Sequence, residues 1–145
     1  MAERTRERAP AADRTRGAYY QAYRWALGVF VVLGAVQIFL AGLGAFSPGS
    51  DPGFEPHRVF SIVIAAASFV VFVAALLARA GARHIAGTAV VLVLAGFLQH
   101  LLASVGFDDA WLGGLHALSG LMIVGVPAWL FWDSGRRPLS PPSAR

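Results

Sequence analysis

Four long apolar runs, at 25–46, 59–78, 85–106 and 110–132, alternate with short polar segments rich in Arg, Asp, Pro and Gly. Each run has the roughly 20-residue length that crosses a bilayer as a helix. The pattern predicts an all-α protein, a transmembrane four-helix bundle. The first run has 22 residues with Gln37 inside it, longer than the 7–15 residues typical of a signal-peptide core, and it is read as a retained span. SPGSDPGFEP at 47–56 holds three Pro and two Gly and ends the first helix. Pro56 suits the first turn of the second. His84 falls in the Arg-flanked connection AGARH, where a solvated loop histidine is expected. Asp108 and Asp109 mark a tight turn. The membrane domain is expected over 19–133, between disordered tails at 1–18 and 134–145.

The runs repeat in pairs. QIFLAGLG (37–44) aligns with QHLLASVG (99–106) at an offset of 62 residues. Each segment then turns into a run carrying a histidine with a small residue four positions on: His57 with Ser61, and His116 with Gly120. The expectation is a bundle of two helical hairpins in the same orientation, related by a pseudo-twofold axis along the membrane normal.

Composition and charge sharpen this picture. The chain has 145 residues, 57% apolar and 14% charged, against about 25% charged in an average soluble domain. The charges cluster at the ends of the runs, which excludes a soluble core. The same placement argues against nucleic-acid binding despite a pI near 10.7. Eleven of the twelve arginines lie in the N-terminal segment through Arg24, the 79–84 connection or the C-terminal tail; only Arg58 lies in the other two loops, beside Asp51, Glu55, Asp108 and Asp109. Arginine bias of this kind places both termini in the cytoplasm. With no cysteine, any cofactor must be held by His, carboxylate or packing.

On this topology Gln37, Gln99, His100 and His116 share one leaflet, with His57 at its rim. A buried glutamine commonly serves as an interhelical hydrogen-bond partner worth about 0.6 kcal/mol. His100 matches Ile38 in the first hairpin, which suits packing rather than ligation. An ionisable residue inside a span, such as His116, is a functional-site candidate by default. Two imidazoles aimed at one axis suit axial ligation of a haem. Ser61 and Gly120 would leave room for a porphyrin face, Arg58 could pair with a propionate, and Gln37 or Gln99 could fix an imidazole tautomer. One spacing counts against it. Glu55 precedes His57 by two residues and Asp109 precedes His116 by seven. If the acids mark one plane, the histidines differ in depth by roughly 7 Å.

FEPHRVFSIV followed by FLQHLLASVGFDDAWLGGLHALSGL resembles one four-helix half of the haem A synthase type. In that family an acidic residue precedes a His-Arg pair at one helix start and Leu-His opens a later helix. The resemblance implies His57 and His116 as axial ligands with Glu55 nearby. The chain is half the length of that type, and Glu55 stands two residues before His57 instead of three. The stretch from about Arg24 to Trp132 is also similar to a group of small bacterial four-span membrane proteins of unknown function, through Gln with AGLG, then His, Leu-Gln and Leu-His.

The functional expectation is a b-type haem held by His57 and His116 in the bacterial cytoplasmic membrane, serving electron transfer or haem or redox sensing. A membrane redox protein or a second copy of the chain are candidate partners besides lipid. The alternative is a haem-free structural or accessory protein whose buried polar residues lock helices together. No nucleophile–base pair or phosphate-binding loop points to an enzyme, and four short spans offer little pathway for a transporter.

Overall fold

The computed structural model describes residues 11–48, 53–106 and 109–136, with side chains from residue 14 onward. Residues 1–10 and 137–145 of the expected tails, and Asp108 of the expected Asp-Asp turn, lie outside the described residues. All secondary structure within them is helical. The helices are α1 (Ala11–Ala45), α2 (Glu55–Leu77), α3 (Ala82–Val105) and α4 (Ala110–Arg136), and all four are long and apolar enough to span a membrane. The α1 helix begins inside the stretch expected as a tail, where Ala11, Ala12, Arg14 and Arg16 are all good helix formers. The α2 helix begins at Glu55 with Pro56 in its first turn, a turn ahead of the apolar run.

Consecutive helices pack side by side and α4 returns to α1, so the bundle is a closed ring in which α1 faces α3 and α2 faces α4 across the axis. The turn from α2 to α3 is tight. Arg79 takes a left-handed φ of 49°, and the Ala80 amide reaches back to the Ala75 carbonyl at 3.1 Å, the hydrogen-bond pattern of a Schellman stop. Gly81 follows with φ 93°, a region open to glycine at little cost.

Burial reproduces the internal repeat. Ile64, Ser68, Val71 and Ala75 of α2 are buried, as are Ile123, Pro127, Leu130 and Ser134 of α4, each 59 residues later. In α1 and α3, buried Tyr23, Leu27, Phe30 and Gly34 correspond to His84, Thr88, Val91 and Ala95 at an offset of 61. Gln37 and Gln99, however, stand 62 apart. The extra residue of α3 is absorbed in a π-helical turn at Leu94–Leu98, immediately before Gln99. An unabsorbed insertion would swing the rest of the helix by about 100°. The wider turn takes up the residue and returns Gln99 to the register of its counterpart.

The outer faces carry exposed Val, Leu, Ile and Phe, as lipid contact requires. Because lipid is as apolar as these side chains, close packing and hydrogen bonds must hold the helices together. Gly34 shows how close α1 and α4 come: a Cβ there would lie 2.6 Å from Val124 Cγ2. Valine is branched at Cβ and cannot swing aside easily. Gly34→Val is expected to destabilise the bundle by about 1–3 kcal/mol, read as a lowered thermal midpoint in detergent. Gly42→Val, where nothing lies within 4 Å, should leave the midpoint unchanged.

Candidate functional site

At the end of the bundle where α1 meets α2 and α3 meets α4, the same hydrogen-bond motif occurs twice. The Gln37 side-chain amide donates to the His57 carbonyl at 3.1 Å, and the His57 ring Nδ1 meets the Gln37 carbonyl at 3.2 Å. In the second hairpin, Gln99 donates to the His116 carbonyl at 3.1 Å, and His116 Nδ1 meets the Gln99 carbonyl at 3.2 Å. Each glutamine and histidine thus grip one another reciprocally, side chain to backbone in both directions.

The motif dictates the tautomer. A carbonyl oxygen only accepts, so Nδ1 of each ring carries the proton, and in the neutral imidazole Nε2 is left with its lone pair. Neither Nε2 has a hydrogen-bond partner among the described residues. The two rings meet across the bundle axis with centres 6.3 Å apart and planes at 67°. The spacing of the acids does not keep the rings apart, because α2 starts at Glu55, earlier than its apolar run indicates.

The remaining sequence candidates lie around this pair. A Cβ on Gly120 would lie 3.1 Å from Gln99 Nε2, so the glycine makes room for the glutamine amide. Ser61 turns its hydroxyl onto the Arg58 carbonyl of its own helix at 2.6 Å. Arg58 is exposed and lies 3.8 Å from Glu55. His100 is exposed on α3 and makes no hydrogen bond among the described residues, so it is not part of the packing as expected. The side-chain oxygens of Gln37 and Gln99 are buried without a hydrogen-bond partner, again one in each hairpin. At the rim, Gly106 and Gly113 bring α3 and α4 into backbone contact: a Cβ on Gly106 would lie 3.0 Å from the Gly113 nitrogen.

A second polar cluster occupies the opposite end, and the sequence reading missed it. His84 is fully buried, not a solvated loop residue, because α3 begins at Ala82 and turns its ring inward. His84 Nε2 donates to Asp133 Oδ2 at 2.8 Å, and Nδ1 lies 2.9 Å from the hydroxyl of Tyr23, itself 0% exposed. Arg83 joins the same Asp133 oxygen at 2.7 Å. The carboxylate only accepts, so Nε2 carries the proton of the Asp133 bond, and Nδ1 shares the second hydrogen bond with the Tyr23 hydroxyl. This network ties α1, α3 and α4 together where the glutamine–histidine pairs do not reach. The available signal was the 61-residue offset between Tyr23 and His84, visible only after the π turn is allowed for.

Residues 37–106 match a family of unknown function (DUF6220). The match covers one histidine of the central pair and both glutamines, and ends before His116. No curated protein and no solved structure matches the chain.

Removing the Tyr23 hydroxyl leaves His84 Nδ1 buried without its hydrogen-bond partner. Tyr23→Phe is expected to cost about 1–3 kcal/mol, measured as a fall in the thermal midpoint. The exposed Tyr19→Phe should show no comparable fall.

Proposed function

We propose that this protein is an integral membrane haem protein, holding a b-type haem between His57 and His116 for electron transfer or for haem or redox sensing. The observation that supports the reading is the mirrored pair of tautomer-locked imidazoles with both Nε2 lone pairs uncommitted. With ring centres 6.3 Å apart, the two imidazoles lie next to one another and could serve one group between them. A ligating histidine ordinarily donates its other ring nitrogen to a carbonyl or carboxylate, which orients the ring and raises its basicity. The Gln37 and Gln99 carbonyls supply that bond. Among the described residues no three His, Cys, Asp or Glu side chains gather as a metal site. Two imidazoles alone are poor for a bare ion, which usually takes three or four protein ligands, but they complete an iron already held by a macrocycle.

In this reading His57 and His116 hold the iron, and the two glutamines hold the rings at fixed tilt. Arg58, at the mouth of α2, would offer a guanidinium to a propionate. A haem so bound supplies one-electron chemistry. The similarity to one half of the haem A synthase type supports ligation, and this chain offers no separate argument for oxidation of a haem substituent. The arginine bias supports a bacterial cytoplasmic membrane location with the termini cytoplasmic and the histidine pair toward the outer surface. The haem-free alternative draws on the same bonds: each glutamine–histidine pair already ties two helices together, and the rings pack edge to face.

Absorption spectra separate the two readings. Full-length protein purified in detergent from haem-replete cells is expected to show sharp α and Soret bands in the reduced-minus-oxidised difference. His57→Ala and His116→Ala should each abolish them, whereas His100→Ala should retain them. A folded, colourless wild-type protein would establish the accessory role instead.

A further inference from the structure

The end of the bundle that carries Tyr23 and His84 also carries Arg24, Arg79, Arg83 and Arg136, and three of them have definite seats. The last two turns of α4 form an aromatic platform. Arg83 lies over Trp129 at 5.0 Å, Arg24 over Phe131 at 5.8 Å and Arg136 over Trp132 at 3.5 Å. Stacking of this kind fixes a guanidinium plane by cation–π attraction. Arg83 is neutralised by Asp133. Arg24 and Arg136 have no carboxylate partner among the described residues.

Arg24 sits at the seam of α1 and α4, and Arg136 stacks on Trp132 on the adjoining outer side of the same α4 turn. Arg24 Nε donates to Ser134 Oγ at 3.2 Å, and its Nη2 would lie 3.1 Å from a Cβ on Gly135, the neighbour of Arg136. Gly28, one turn along α1, admits the Phe131 ring, which a Cβ there would meet at 3.3 Å. Arginines needed only to set topology require no such posture. The depth is also marked. Trp25, Trp129 and Trp132 are 67%, 43% and 53% exposed, and tryptophan rings gather at the headgroup level of a bilayer.

We propose that the α1–α4 seam binds the phosphate of an anionic phospholipid headgroup through Arg24 and Arg136. Two guanidiniums held on rings at headgroup depth present planar donors to phosphate oxygens, a geometry arginine satisfies with paired hydrogen bonds. The only carboxylate nearby on α4, Asp133, is occupied by Arg83 and His84, so the seam keeps its positive charge. The site is independent of the histidine pair at the other end and of which side of the membrane it faces.

Native mass spectrometry of the full chain, with phosphatidylglycerol and phosphatidylcholine supplied equally, reads the preference directly. The wild type should retain phosphatidylglycerol several-fold over phosphatidylcholine. Arg24→Gln and Arg136→Gln should each lower that ratio roughly fivefold, as expected for one basic residue at a charged surface. Arg79→Gln, in the α2–α3 turn, should leave it unchanged. Arg24→Gln also removes the bond to Ser134, so Arg136→Gln is the deciding variant if the former fails to fold. Equal retention of both lipids by the wild type, or an undiminished ratio in Arg136→Gln, overturns the assignment. So does displacement of the lipid by millimolar inorganic phosphate, which would make the ligand a free anion.

Discussion

Hydrocarbon offers no hydrogen-bond partner, and that constraint orders the interior of this bundle. A polar side chain among the spans must find its complement on another helix or bear a desolvation penalty of several kcal/mol. Gln37 and His57 meet it for their donors by pairing reciprocally, as do Gln99 and His116, while the two glutamine side-chain oxygens stay unpartnered among the described residues. Each pair uses one side-chain donor and one ring donor against two carbonyls. Those carbonyls belong to helix backbones, so the ring orientation is tied to the most rigid atoms available. The two histidines therefore meet at the axis through two separate hairpins, each holding its own ring.

The same constraint operates at the opposite end with different chemistry. There the partners are side chains: Tyr23, His84, Asp133 and Arg83 form one connected network across α1, α3 and α4. The bundle is thus tied at both ends by polar contacts, with an apolar middle built from residues such as Leu27, Phe30, Val91 and Leu130. Among the described residues, one end leaves the Nε2 atoms of His57 and His116 without a hydrogen-bond partner, whereas both ring nitrogens of His84 at the other end are engaged.

The fold was legible because membrane spans announce themselves by length and apolarity, and the repeat was legible because Gln and His are rare in such runs. The placement of His57 and His116 against one another followed from the same pattern. His84 was misread for a physical reason. Its neighbours in sequence, Arg83 and Ala82, are those of a loop, while its neighbours in space come from α1 and α4, and only packing decides which prevail. The contact between the two central histidines was obscured similarly, since α2 begins a turn before its apolar run and no apolar residue marks that start. His100 shows the converse: an apolar-run histidine expected to pack is exposed on α3.

The π turn at Leu94–Leu98 lets the two ends of α3 keep independent phase. On one side of it the helix is registered to Tyr23 of α1, on the other to the Gln37 pattern. Insertions or losses of single residues can be taken up there without rotating either polar cluster out of alignment. Among the described residues only α3 carries this widened turn, so it alone accommodates one residue more than α1 between its two polar clusters.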